Sequence, residues 1–394
     1  WPQGSAKAMP FGPSPLTSEV GLMIGGVDLV AAQPVEYRFA DQIRGELRRV
    51  PNVVPKLTVG LDTSLLVVPL GAAPLPKRIV ARVASGSPES ITGTVRLRVP
   101  DGWVVSPREA SFTLKRSGEQ TSTAFTLTVP ANRKAGTFAV DAEAVANGAT
   151  FSRDVEVISY PHIQTHRLYW PARARVEVVN LQVAPVRVGY VMGGGDQVPD
   201  AIRRMGIDVT MIDPEMLASG DLSRFDTIVI GIRASETRPD FVANNGRLLQ
   251  FVERGGALIV QYQQGEYIAN GLAPYPAEAK GNPRVTDETA AVKILAPNHP
   301  AFTFPNRITA DDFNGWVQER NLYSFSDFDA RRYTPLLESA DPGEGAQRGG
   351  ELYAEIGKGR YIYTSYAWFR QLPAGVPGAY RQFANLISLS KAPR

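Results

Sequence analysis

Apolar positions along this chain follow two different periods. Between residues 55 and 158 they recur at every second position: Leu57-Val59-Leu61, Ile79-Ala81-Val83, Val95-Leu97-Val99, Phe112-Leu114, Phe125-Leu127-Val129, Phe138-Val140 and Val155-Val157. A period of two gives each strand one buried and one solvated face. Turn sequences separate the runs at Pro100-Asp101-Gly102, Ser117-Gly118, Ala135-Gly136 and Asn147-Gly148. Roughly seven short strands at this spacing predict an immunoglobulin-like β-sandwich, with Trp103 in or beside its core.

From residue 186 the pattern changes. Arg187–Met192, Val209–Ile212, Thr227–Ile232 and Ala257–Tyr262 are continuous apolar runs. Gln197–Met205 and Asp240–Arg254 are helical in pattern, the second closed by Gly255-Gly256. Continuous apolar strands alternating with helices predict a parallel sheet covered on both faces. Leu352–Ile356 and Tyr361–Tyr366 flank Gly357-Lys358-Gly359 as a hairpin, and 377–389 closes the chain as a helix. Residues 159–185 are expected to be a linker with a short strand. At the other end, 1–18 is rich in Pro, Gly and Ser and predicts an extended arm. Residues 19–54 hold two strand-like runs, Val20–Val30 and Val35–Phe39, then Arg44-Gly45-Glu46. They predict a partial β-sandwich or linker strands.

At 394 residues the chain is long enough for two or three domains. The formal charge is only +3, and its bases are interspersed with acids, so no nucleic-acid footprint is expected. There is no cysteine, which removes disulfides, thiolate nucleophiles and cysteine-bound metals together. Val20–Ala32 is broken by Gly25, Gly26 and Asp28 and is too short to span a bilayer. No transmembrane segment is expected. Nothing at Trp1 resembles a signal peptide, so a targeting signal, if there is one, is expected upstream of a processed or partial chain.

Several long stretches resemble the C-terminal region of long PIG-L (LmbE-like) deacetylase proteins. They are Val35-Glu36-Tyr37-Arg38-Phe39-Ala40-Asp41 with Arg44-Gly45-Glu46, and Tyr160-Pro161-His162-Ile163. Val188 to Asp196, Asp221 to Asp226, Asn314 to Arg320, Arg370 to Gly375 and Gly378 to Arg381 complete the set. The resemblance implies tandem immunoglobulin-like domains followed by a flavodoxin-like, class I amidotransferase-like parallel-sheet domain over 186–394. The fold class is therefore multidomain β + α/β. The family's zinc deacetylase domain would lie upstream, and its His-Pro-Asp-Asp-Glu signature is missing here: the one His-Pro, His299-Pro300, runs on into Ala301-Phe302. Trp1-Pro2-Gln3-Gly4 resembles a point inside the first immunoglobulin-like domain, which implies that residues 19–50 are the last strands of a sandwich. Their exposed edge calls for a covering partner, another protein, as in a membrane complex.

The amidotransferase elbow would fall in Gln261-Tyr262-Gln263-Gln264-Gly265, which offers neither Cys nor Ser, so the domain is read as degenerate. Gly193-Gly194-Gly195 lacks the third glycine of a dinucleotide fingerprint and reads as a tight turn capped by Asp196. His162 and His166 lie in an extended segment and His299 in a turn; none reads as a ligand. Asp311-Asp312 reads as helix capping after Thr309 rather than as an acid–base pair. Asp327 and Asp329 could add oxygens to a calcium ion, a minor alternative, since their spacing matches no known calcium loop. Ligands of open parallel sheets bind beyond the carboxyl ends of the strands. Asp196, Arg233, Glu236, Gln261 and Glu266 are assigned to those ends, and Trp316, Glu319 and Arg320 to the long excursion after the fourth strand. These eight are the candidate ligand-binding residues, with a salt-bridge network as the competing role for the last three. No catalytic residue, metal or cofactor is expected. The sequence thus predicts a non-enzymatic interaction module, a docking part of a larger extracytoplasmic assembly, periplasmic or extracellular or peripheral to the membrane. The alternative is the glycan-binding and positioning region of a deacetylase whose catalytic domain is absent. A third reading is a small-molecule site in the strand-end crevice.

Overall fold

The computed structural model describes residues 14–71, 73–131 and 134–393. Trp1-Pro2-Gln3-Gly4 and most of the expected arm lie outside them. The chain divides into two compact units. One holds residues 1–64, 76–128 and 139–174; the other holds 65–75, 129–138 and 175–394.

The first unit opens with two hairpins. Thr17–Ile24 pairs with Val27–Pro34, and Tyr37–Asp41 with Gly45–Arg49. The run expected as one strand over Val20–Val30 is thus two, because Gly25 and Gly26 both take positive φ (59° and 79°) and turn the chain. Every residue of the first hairpin is exposed.

The sandwich follows. Leu57–Leu61, Leu75–Ser85, Gln120–Val129 and Val104–Ser106 form one sheet. Glu109–Leu114, Ile91–Arg98 and Gly136–Ala146 pair antiparallel in another. The alternation read from the sequence is the alternation of burial. Ile79, Ala81, Val83, Val95, Phe125, Leu127 and Val140 are all 1% exposed or less, and their neighbours along each strand face outward. Trp103 is buried, as expected. Val155 and Val157 do not join this core. Their strand, Arg153–Ile158, pairs with His166–Pro171 as a separate ribbon, leaving Val157 half exposed. That second strand, with Arg173–Val179, also takes up about half of the expected 159–185 linker. Polar His166 and Arg167 open the ribbon strand and hide it from a period-two reading, whereas Ala174, Val176 and Val178 alternate and are buried, a signal the linker expectation passed over.

The second unit is built on a seven-stranded sheet. Its main strands are β1 (Val188–Val191), β2 (Val209–Met211), β3 (Thr227–Ile230), β4 (Ala257–Gln261), β5 (Glu351–Ile356) and β6 (Gly359–Thr364). The order is β2-β1-β3-β4-β6-β5, then Thr334–Pro335. The first five pair in parallel; β6–β5 and the last pairing are antiparallel. β1, β3 and β4 are buried throughout, as continuous apolar strands require. Helices α1 (Val198–Arg204), α2 (Pro214–Ser219), α3 (Pro239–Glu253) and α4 (Pro377–Ser388) complete the layers. In α3, Pro239 sits in the first turn, and Phe241, Asn245, Leu248 and Val252 are buried at helical spacing along one side. Gly255 at φ 119° then ends it, its N–H donating to Val252 O. Between β4 and β5 the described residues form no long helix, only short strands, turns and helices of five residues or fewer such as Gly265–Ala269 and Pro300–Thr303. No described helix is long and apolar enough to cross a membrane.

Candidate functional site

In this strand order the connections diverge between β1 and β3, the place where open parallel sheets leave a crevice for ligands. Here the crevice is filled. Gly193 packs so tightly on Ile232 O that a Cβ has no room, and Gly194 N–H donates to the same carbonyl (2.7 Å). Asp196 occupies the remaining space. Its carboxylate accepts from Tyr190 Oη (2.7 Å), Val198 N–H (3.0 Å) and Ile232 N–H (3.3 Å). Burial pushes this carboxyl above its ordinary range, against the pull of those donors. Tyr190 in turn accepts from Gln261 Nε2 (2.9 Å). The Gln261 Oε1 is buried without a partner among the described residues.

The expected elbow after β4 is likewise spent on structure. Gln263 is 1% exposed; its Oε1 accepts from Ser235 N–H and its Nε2 donates to Gly231 O and Gln261 O, all at 2.9 Å. Arg233 holds a left-handed backbone (φ 55°) and pairs with Glu236 at 2.6 Å. That hydrogen bond, with the fields of Glu236 and the exposed Glu266, raises the guanidinium above its usual range. Beside them Tyr262 stacks on Tyr323 (5.5 Å) and on Phe369 (5.9 Å), with Arg284 over Tyr323 and Arg370 over Phe369.

Trp316, Glu319 and Arg320 are all buried. Trp316 packs edge-on against Trp368 (5.1 Å), and Arg320 lies over its ring (5.3 Å). Arg320 donates to Ala290 O (2.9 Å) and Phe313 O (2.5 Å), while Glu319 pairs with Arg370 at 2.7 Å. These three hold the excursion against the sheet, the competing role the sequence allowed. The capping reading of Asp312 matches its geometry: it accepts from Thr309 N–H (2.9 Å) and pairs with Arg381 (2.7 Å). His299 caps the Pro300–Thr303 helix through Nδ1, and burial lowers it to about 4. His162 lies beside Tyr160 (5.9 Å), and His166 opens the second ribbon strand. Asp329 accepts from Arg331 N–H. Among the described residues, no three His, Asp or Glu side chains form a metal-holding group.

Open space lies at the other end of the sheet. A cavity of about 770 Å³ is bounded by Leu181, Pro185, Met205, Ile207 and Phe225. A second, of about 580 Å³, is lined by Arg187, Arg247, Arg254 and Lys391 together with Asp221 and Asp226. None of the eight candidate residues lines either one. The four cations belong to segments spread from 187 to 391, so no sequence pattern announces them.

The first unit carries one further feature. Trp170 is 56% exposed on the ribbon strand His166–Pro171. In the register it faces Asp154 across the strand pair, with Leu168 opposite Glu156 on the same side. Asp154 also pairs with Arg82 (3.3 Å). The sequence does hold a signal for this ring: Tyr169 and Trp170 are consecutive on a strand, so one of them has to face out.

Residues 76–147, within the sandwich, match the family model described as NPCBM-associated, NEW3 domain of alpha-galactosidase. No curated protein matches the chain. Among solved structures, a β-galactosidase from Rahnella sp. R3 aligns at 16% identity over 55% of this chain and 32% of its own, with a TM-score of 0.35. A family 123 glycoside hydrolase from Clostridium perfringens aligns at 10% identity over 52% of this chain and 38% of its own (TM-score 0.19). The periplasmic chaperone SfaE does so at 11% identity over 33% of this chain and 65% of its own (TM-score 0.18). The chain therefore spans about a third of the β-galactosidase. Likeness this distant carries no weight; the fold rests on the strand pairing itself.

Proposed function

We propose that the chain is a non-catalytic glycan-docking module. The observation that carries this reading is Trp170: a large apolar ring, more than half exposed, with Asp154 and Glu156 on the same side of its ribbon. The C–H face of a pyranose is apolar and lies flat on an indole, while its hydroxyls donate to carboxylates at the rim. The NEW3 match in the same unit supports the reading, since the family's name ties that domain to a glycan-processing enzyme. The absence of cysteine and of His-Pro-Asp-Asp-Glu supports docking over catalysis. Titration of the full chain with neutral oligosaccharides tests it. Trp170→Ala should weaken binding about tenfold or more without changing the melting temperature. Equal binding by the variant, or none by the wild type, overturns it.

The β2-β1-β3-β4-β6 order supports reading the second unit as a flavodoxin-like, amidotransferase-like sheet whose elbow carries glutamines in place of the nucleophile. The segments resembling long PIG-L proteins support an extracytoplasmic setting. A second reading, protein docking, is favoured by the first hairpin, where Val20, Leu22, Ile24, Val27 and Leu29 share one exposed face. The two-stranded sheet also has open outer edges to which a strand-bearing partner can add. A partner retained from native cells by the wild type and released by Leu22→Asp would support it; identical recovery with both would not.

A further inference from the structure

The 580 Å³ cavity at the amino end of the parallel sheet is a charged site that the docking reading leaves unused. Four cations face two carboxylates. Asp226 is shared by Arg187 (3.0 Å) and Lys391 (3.0 Å). Burial works to raise its carboxyl, but those two partners hold it well below the usual carboxylate range, so it stays ionised. Asp221 is occupied by Ser223, whose backbone N–H and hydroxyl both donate to it (2.9 and 2.7 Å). Among the described residues Arg247 donates to backbone carbonyls alone, those of Leu217 and Gly220 among them. Arg254 has no carboxylate partner among the described residues.

Arg254 follows α3, and a cation there could simply balance the negative helix end. The terminal carbonyls, however, are already taken. Gln250 O accepts from Arg254 N–H, Phe251 O from Gly256, Val252 O from Gly255 and Glu253 O from Lys358. The Arg254 guanidinium and the unused donors of Arg187 and Lys391 thus remain, inside a concavity of ligand size. Guanidinium forks match a carboxylate's two oxygens. Ser223, Ser390 and Asp221 add the hydroxyl-and-acceptor lining that sugar hydroxyls need.

We propose that this cavity binds an acidic saccharide, with its carboxylate on the Arg254–Arg187–Lys391 side. The saccharide part rests on the glycan reading; the anion preference rests on the charges alone. Calorimetric titration of the full chain with a short oligogalacturonate, a neutral oligosaccharide of equal length and inorganic phosphate tests it. The acidic sugar should bind, weaken about tenfold to a hundredfold in Arg254→Glu, and weaken as salt is raised. Arg254 is exposed, so the variant should melt with the wild type. Trp170→Ala should leave acidic-sugar binding unchanged, and Arg254→Glu should leave neutral-sugar binding unchanged, so that either site can fail without the other. Absence of acidic-sugar binding, indifference to Arg254→Glu, or phosphate binding as tightly as the sugar would overturn the proposal.

Discussion

The two ends of the parallel sheet use their charges in opposite ways. At the carboxyl end nearly every charge is matched: Asp196 by Tyr190 and two N–H groups, Arg233 by Glu236, Glu319 by Arg370. At the amino end four cations and two carboxylates line open space, and of the four only Arg187 and Lys391 are paired, both with Asp226. The rule that ligands bind at the carboxyl ends of parallel strands holds only where the crevice there stays empty. Asp196 and the glycines before it close it, so the topological argument finds the place but not an opening.

The largest effect expected from breaking this contrast is at Trp316. Trp316→Ala removes a buried ring wedged between Trp368 and Arg320, and should cost about 3–5 kcal/mol in a urea titration. A loss below about 1 kcal/mol would mean the carboxyl end is not a packed network.

Next comes Glu351, on β5 at the same end, wholly buried and accepting from Thr364 Oγ1 (3.0 Å). Burial raises it from 4.5 to about 7. The folded state therefore keeps a proton that the unfolded state gives up. Stability is highest below pH 4.5 for this group and falls as pH rises through 7, by about 3 kcal/mol in all. Glu351→Gln should flatten the slope of unfolding free energy between those pH values; an unchanged slope would exclude Glu351 as its source. His299, depressed to about 4, gives the opposite slope, losing stability as pH falls from 6.5.

Asp226→Asn sharpens the comparison from the other end. It should cost about 1–3 kcal/mol, because Asp226 is mostly buried and accepts from the Arg187 backbone N–H as well as from both cations, yet tighten acidic-sugar binding severalfold by freeing those cations. Weaker binding would show that Asp226 orients those cations rather than competing for them. The smallest effect is expected in the first hairpin. Leu29→Asp should change stability by no more than about 0.5 kcal/mol, because Leu29 is 48% exposed. A larger loss would mean that the hairpin face is covered in solution.

Much of this was legible in the residues. The alternation at Ile79-Ala81-Val83 and Phe125-Leu127-Val129 named the buried face of those sandwich strands, because successive side chains on a regular strand point to opposite faces. The run Ala257 to Gln261 named a central strand for the same local reason. Gln261 ends β4, and Asp196 and Arg233 lie in the turns that follow β1 and β3; the capping by Asp196 was readable and its carboxylate does accept from Val198 N–H, but its contacts with Tyr190 and Ile232, and the roles of Gln261 and Arg233, were not. Whether Asp196 meets a ligand or meets Tyr190 and Ile232 depends on how closely Gly193 approaches the neighbouring strand end, a distance that no spacing in the chain encodes.

By itself, then, the sequence determined the main strands and helices of the sandwich and the parallel sheet and their buried faces, because those follow from periods of two and of about 3.6 that act over neighbouring residues. It also determined what chemistry is out of reach, since a missing thiol cannot be supplied by folding. Tertiary structure alone decided which charges are consumed and which are left over. Arg187, Arg247, Arg254 and Lys391 become one cationic wall only when β1, α3 and the segment after α4 are brought to one end of the sheet, and Coulomb forces act on that distance and not on separation along the chain.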